Sequence, residues 1–187
     1  MVSPLFLFED IMHVEVLEVL DDIDYQKILE EANSVKMALG KGWRDIDQVG
    51  IQGHKPNLDP LEEWDKSIGY PIVDGKSGYP GQIKYPETYF KYPLFDIPTI
   101  NRCLDKYGLK RTRIMKSNSK SCLKLHSDLT KRIHIPLISN PDCFMMIDDQ
   151  VYYLEPGKIY LTNTTLKHTA VNASSSFRVH IVGCLYS

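Results

Sequence analysis

No stretch of the 187-residue sequence is apolar for the roughly 20 residues a membrane-spanning helix needs, so no span and no membrane partner are expected. Charge of one sign is missing too. Lys and Arg number 22 against 24 Asp and Glu, and a formal charge of −2 argues against a nucleic-acid partner. Local basic groups such as Lys110, Arg111 and Arg113 are therefore read as solvated strand ends rather than a phosphate track. Cysteine is scarce and scattered. Cys103, Cys122, Cys143 and Cys184 form no C-x-x-C pair, which removes the usual signature of a disulfide framework or a zinc site. The early apolar run PLFLF lacks a basic leader and meets Glu9 and Asp10 at once, so no signal peptide is expected. The expected location is cytoplasmic, with free thiols.

What the chain does contain is 43% hydrophobic and 25% charged residues, the balance of a globular protein long enough to bury a core. Residues 5–19 read as an edge strand, and DDIDYQKILEEANSVKMALG as a helix with acids in its first turn and Gly40 as its stop. Residues 41–98 hold most of the eleven prolines together with both tryptophans, which suggests loops packed over a surface. IPTINRCLDKYG follows as a short helix, with Thr99 as cap and Gly108 as stop.

From Arg111 onward the pattern turns to strands: RTRIMKS, CLKLH, RIHIPLI, CFMMI, VYYLE, KIYLTN, KHTAVN and FRVHIVGCLY. Asp148-Asp149 and Pro156-Gly157 punctuate the hairpins. Short antiparallel strands at this density predict a mainly β fold with flanking helices, a double-stranded β-helix of the jelly-roll, cupin-like kind. The expected organisation is a single domain, 1–187. Within it, residues 1–110 form a helix- and loop-rich region packed on the barrel, and 111–187 form the jelly-roll core.

Strand alternation sorts the side chains. In RIHIPLI, Arg132, His134 and Pro136 share one face, opposite Ile133, Ile135 and Leu137; in FRVHIVGC, Arg178 and His180 oppose Phe177, Val179 and Ile181. Either the polar faces meet water, as exposed sheet faces commonly do, or they line the mouth of a barrel. His126-Ser127-Asp128 with His168 favours the barrel. Two imidazoles and a carboxylate can occupy one triangular face of an octahedral metal, the arrangement of non-haem Fe(II) oxygenases. An H-x-D pair alone carries little weight, and a lone His168 on KHTAVN is commonly a surface or core histidine. Arg178 supplies the context. An iron with open positions can take 2-oxoglutarate as reductant, whose far carboxylate needs a cation able to stay charged when desolvated.

These residues bring a family into view. From residue 111 onward, RTRIM, LHSD, RIHIPLISNP and YLEPGKIYLTNTTLKHTAVNASSSFRVHIV resemble the aspartyl/asparaginyl β-hydroxylase family of Fe(II)- and 2-oxoglutarate-dependent oxygenases, which includes bacterial free-proline hydroxylases. The resemblance implies His126, Asp128 and His168 as iron ligands and Arg178 as holder of the distal carboxylate of 2-oxoglutarate. It implies Arg132 and His134 near the 1-carboxylate, and Asn172 and Pro136 as structural; His180 is read as a hydrogen-bonded structural residue. Two departures stand out. KSNSKSCLKLH replaces the Gly and Pro that often precede the first histidine, and the long helical repeats of the animal members are missing while the metal-binding Asp is kept, which is closer to the small microbial members.

The implied activity is hydroxylation of an amino-acid side chain, free or in a protein, using Fe(II), 2-oxoglutarate and O2 and releasing succinate and CO2. The alternative is a non-catalytic, cupin-like metal-binding or ligand-sensing module, which would need no carboxylate clamp. Trp43, Trp64, Tyr79 and Tyr85 either cover the site or simply pack on the barrel. Lys55, Lys91 and Arg113 are unranked candidates for holding a substrate carboxylate.

Overall fold

Among the described residues (16–42, 44–72 and 81–186 of this computed structural model), eight strands follow residue 109 and are divided between two antiparallel sheets. They are β5 (Lys110–Ser117), β6 (Ser121–Cys122), β7 (Lys131–Ile138), β8 (Cys143–Ile147), β9 (Gln150–Tyr153), β10 (Lys158–Thr162), β11 (His168–Asn172) and β12 (Arg178–Leu185). Before them come β1 (Leu17–Asp22), α1 (Tyr25–Ala38), β2 (Gln48–Gly50), β3 (Gln52–Gly53), α2 (Pro60–Glu63), a 3-10 turn at Glu87–Tyr89, β4 (Tyr92–Pro93) and α3 (Pro98–Lys106).

One sheet runs β1-β10-β7-β12-β5-β2 and the other β6-β11-β8-β9, with β3 and β4 a separate pair. Passing from β5 to β12 the chain crosses between the two large sheets repeatedly, which is the winding of a double-stranded β-helix. The fold class is mainly β with flanking helices, as the strand spacing predicts. Its turns are built from the residues that read as turns: Asp148 and Gly157 both have positive φ, at 54° and 93°.

The apolar face of the six-stranded sheet points outward. Ile133, Ile135 and Leu137 of β7, Val179 and Ile181 of β12 and Ile114 of β5 form one core with Ile28, Ala32 and Val35 of α1 and Ile100 and Leu104 of α3. Each of these Ile, Leu and Val side chains contributes about 1.5–3 kcal/mol by leaving water. The opposite face looks toward the other sheet, where Tyr160 of β10 packs with Met145 and Ile147 of β8 and Ala170 of β11. The helices take the apolar side, so the polar side of β7 and β12 has only the barrel interior to face.

Several expectations shift. Most of 5–19 lies outside the described residues, and the strand there is Leu17–Asp22. The acids precede α1 instead of filling its first turn, because Asp21 and Asp22 belong to β1 and Asp24 is the cap, accepting from Lys27 N. Thr99 does not cap α3. Ile97 holds the cap position, and the Glu31 carboxylate of α1 accepts from Thr99 N and Ile100 N at 2.9 and 2.8 Å, so a tertiary contact replaces the local one. CLKLH is largely not a strand: β6 ends at Cys122, and His126 is tied only by an isolated bridge to His168. Residues 41–98 contain β2, which adds to the edge of the six-stranded sheet, and the separate β3–β4 pair.

Gly50 shows how tightly that edge is closed. A Cβ there would lie 2.2 Å from Ser67 Oγ and 2.7 Å from the Trp64 carbonyl oxygen, which already accepts Gly50 N. Gly50→Ala is expected to cost about 1–3 kcal/mol by overpacking, read as a lower urea midpoint at unchanged slope.

Candidate metal and anion site

His126, Asp128 and His168 converge: one ligand atom from each lies within 4.8 Å of the others. The sequence brings them together through the 126–168 bridge, in which each backbone N–H donates to the other residue's carbonyl at 3.1 and 2.8 Å. Asp128 N donates to Thr164 O at 2.8 Å, fixing the carboxylate beside the pair. Each ring is also oriented from behind. His126 Nδ1 meets Lys124 O at 2.6 Å and His168 Nδ1 meets Leu166 O at 3.0 Å. A carbonyl only accepts, so each Nδ1 carries a proton and each Nε2 is the ring atom turned toward Asp128, at 4.0 and 3.7 Å. Burial lowers the His168 pKa against the opposing pull of the Leu166 carbonyl and Asp128, which keeps the ring neutral. Two imidazoles and a carboxylate form a donor set that fits a divalent first-row metal.

Arg132 braces this cluster. Its Nε donates to Asp128 Oδ2 at 2.9 Å, Nη1 to Thr130 Oγ1 at 2.9 Å, and Nη2 lies 3.5 Å from Glu87 Oε1. Asp128 Oδ2 is thereby occupied, and Oδ1 is left toward His126. Glu87 is the hub beneath. It accepts from Arg111, from Tyr186 Oη at 2.6 Å and more weakly from Cys184 Sγ at 3.6 Å. Burial alone would raise the Glu87 pKa, but Arg132, the Tyr186 hydroxyl and Arg111 outweigh it and hold the carboxyl below its ordinary value.

The expectation of solvated strand ends fails here. Arg111 is 2% and Arg113 8% exposed. A register shift in the β5–β12 ladder, with Arg111 at φ 47°, turns the Arg111 side chain inward, where Glu87 and the carbonyls of Ser67 and Gly69 receive it. Sequence reading missed Glu87 altogether. The available signal was the surplus of arginines on strands with an apolar opposite face, which demands a buried acid from elsewhere.

Deeper on the same face lie His134, His180 and Arg178. His134 Nδ1 and His180 Nδ1 are 3.4 Å apart, so His180 does take part in a hydrogen bond. Burial, with Arg178, His168 and Arg132 nearby, drives the His134 pKa down to about 3, and burial with Arg178 and His134 pushes His180 well below its ordinary value. Both rings are neutral. Arg178 is 6% exposed, and its Nε and Nη1 are buried with no hydrogen-bond partner among the described residues. Burial lowers its pKa, opposed only by Cys143. A buried guanidinium with two idle donors and no carboxylate beside it fits an incoming anion.

The other expected residues sit at the periphery. Asn172 donates to the carbonyls of Ser117 and Ser176 and accepts from Ser174, tying β11 to β5 and to the 173–176 turn. Tyr85 stacks on His54 with centroids 4.1 Å apart, and Trp64 packs against the outer core. Trp43 and Tyr79 lie outside the described residues. All four cysteines are free, and no described helix is long and apolar enough to cross a membrane. Two clefts elsewhere, near Asp21 and Lys106 and near His54 and Glu63, gather no comparable donor set.

Comparison with known proteins adds a family. The model of the aspartyl/asparaginyl beta-hydroxylase family matches residues 91–185, half of the chain. An L-proline cis-4-hydroxylase of Rhizobium meliloti (strain 1021) is 24% identical over 96 residues, covering 46% of this chain and 34% of that protein, so the chain spans about a third of the relative's length. Among solved structures, a cupin domain from Bordetella pertussis Tohama I has a TM-score of 0.37 at 14% identity, covering 42% of this chain and 82% of that one. An oxidoreductase of the 2OG-Fe(II) oxygenase family from Burkholderia pseudomallei also has a TM-score of 0.37, at 16% identity, covering 41% of this chain and 43% of that one.

Proposed function

Because the chain belongs to the aspartyl/asparaginyl β-hydroxylase family, we propose that it is an Fe(II)- and 2-oxoglutarate-dependent dioxygenase that hydroxylates an amino-acid side chain, free or in a protein. The observation that carries the reading is Arg178, a buried guanidinium whose Nε and Nη1 have no partner among the described residues, on the face that also carries His134 and Arg132. A bare metal-binding module has no use for that idle cation.

In this reading His126, Asp128 and His168 hold the iron and Arg178 receives the distal carboxylate of 2-oxoglutarate. When bound, the iron supplies the oxidation of an unactivated C–H bond by O2, with 2-oxoglutarate converted to succinate and CO2. The protein's own part is positional. The carbonyls of Lys124 and Leu166 keep both imidazoles in the tautomer that presents Nε2. Arg132 holds Asp128 by Oδ2 and so fixes the carboxylate in place.

Arg132 is already engaged by Asp128, Thr130 and Glu87, so neutral His134 is the better placed of the two for the 1-carboxylate end. The His134–His180 contact fixes the orientation of that ring. Burial of these groups also excludes water, which strengthens their hold on charge.

Fe(II) and 2-oxoglutarate added without oxygen should give the visible charge-transfer band of the chelate. The band should disappear in His168→Ala. Metal binding with no band in the parent protein would overturn the oxygenase reading and favour a metal-binding module.

A further inference from the structure

Tyr186, the residue that follows β12, reaches back to the buried carboxylate of Glu87. Its hydroxyl donates to Glu87 Oε2 at 2.6 Å. The other oxygen is crowded: Oε1 accepts from Arg111 Nη1, from Arg132 Nη2 at 3.5 Å and from Cys184 Sγ at 3.6 Å. Among the described residues Tyr186 is therefore the sole partner of Oε2. The torsion that turns a glutamate carboxyl is soft and roughly two-fold. Partners on one oxygen pin that atom and leave the plane free to turn. A partner on the second oxygen sets the plane, and here that partner is Tyr186.

A rigid group passes this orientation on. A guanidinium is planar, so the direction in which Arg132 Nη2 points toward Glu87 also sets the directions of Nε and Nη1. Arg132 Nε donates to Asp128 Oδ2 at 2.9 Å and Nη1 to Thr130 Oγ1 at 2.9 Å. Asp128 Oδ2 is thus engaged by the protein, while Oδ1 accepts no hydrogen bond among the described residues. Glu87 and Arg132 are 3% and 4% exposed, so water does not compete along this path. One chain of polar contacts runs from the Tyr186 hydroxyl through Glu87 and Arg132 to a candidate metal ligand.

We propose that Tyr186 is a positioning residue for the metal centre, acting through Glu87 and Arg132 to keep Asp128 Oδ2 bonded and Oδ1 free for the metal. The assignment rests on the reading of His126, Asp128 and His168 as metal ligands. Without the hydroxyl, the Glu87 carboxyl turns, the hold of Arg132 on Oδ2 loosens, and Asp128 has two oxygens to offer instead of one. A carboxylate that changes from one donor oxygen to two alters the number of donors around a metal, which its ligand-field spectrum reports. Tyr25 of α1 makes a comparable bond, from Oη to Leu137 O at 2.7 Å, to the same strand as Arg132 but with no described contact leading to Asp128.

The test titrates the metal-free protein with Co(II), reading both its affinity and the visible absorption of the bound ion. Tyr186→Phe should alter that spectrum and weaken Co(II) about 3- to 10-fold, at or below the lower end of the range for groups that orient a metal ligand. Tyr25→Phe, which deletes a hydroxyl of the same kind, should do neither. Because the effect passes through Glu87, Tyr186→Phe should change nothing further in a Glu87→Gln background. If Glu87→Gln does not fold, Arg132→Lys, which lacks the planar fork, closes the same cycle. An unaltered spectrum in Tyr186→Phe overturns the proposal whatever the affinity. So does an equal change in Tyr25→Phe, or a Tyr186→Phe factor that multiplies with that of the second variant. A parent that binds no Co(II) removes the metal-ligand reading itself, and the proposal with it.

Discussion

Glu87→Gln lowers the melting temperature by roughly 10 °C, because breaking a buried ion network from one side costs about 3–5 kcal/mol in a chain of this size. The carboxylate is 3% exposed and serves Arg111, Arg132 and Tyr186 together. An amide of the same shape keeps one acceptor but turns an NH2 group toward donors, and two buried guanidinium groups lose their shared counter-charge. Acid should reveal the same linkage. The folded-state pKa of Glu87 lies below the ordinary 4.5, so its contribution is fully present above that value. It is lost as pH falls through the depressed folded value. The melting temperatures of parent and Glu87→Gln should therefore converge below about pH 4.5 and differ most at neutral pH. A constant difference across that range, in calorimetry from pH 3 to pH 7, would show that Glu87 does not act through its charge.

The same residue marks where the sequence stops being legible. Strand alternation in RIHIPLI and FRVHIVGC separates Ile133, Ile135, Val179 and Ile181 from Arg132, His134, Arg178 and His180, because the period of a strand is a local property. Which face turns inward is not local. It is decided by α1 and α3, whose Ile28, Val35, Ile100 and Leu104 cover the apolar side and leave the polar side to the interior. Glu87 sits in KYPETYF, a stretch without periodicity, and reaches Arg111 and Arg132 only through tertiary packing.

The H-x-D pair is readable as a motif but misread as strand. CLKLH alternates like one, yet Leu123 and Leu125 are exposed, and the chain leaves the ladder after Cys122 so that His126 and Asp128 can face His168. Arg111 and Arg113 fail for a related reason: basic residues at a strand start normally meet water, and here a register shift and an edge strand enclose them.

Arg178→Met should make the ligand-free protein more stable while removing its affinity for 2-oxoglutarate. The two effects share one cause. In the parent, Nε and Nη1 are buried without partners among the described residues, and each unsatisfied group costs about 1–3 kcal/mol. Methionine fills similar space with no donors to satisfy, so the urea midpoint should rise, by an amount equivalent to about 2 kcal/mol after allowing for imperfect packing. The Ser117 pairing of residue 178 is made by the backbone and survives the change. Binding should respond in the opposite sense. Two charge-assisted bonds to a carboxylate, each worth about 1.5–3 kcal/mol, correspond to at least a hundredfold loss of affinity. Metal affinity measured without 2-oxoglutarate should stay the same, because His126, Asp128 and His168 do not bond to Arg178. A variant less stable than the parent would mean that Arg178 is a structural cation already satisfied in the folded chain. Unchanged 2-oxoglutarate affinity would move the co-substrate to another cation of the same face, with Arg113 the first to test.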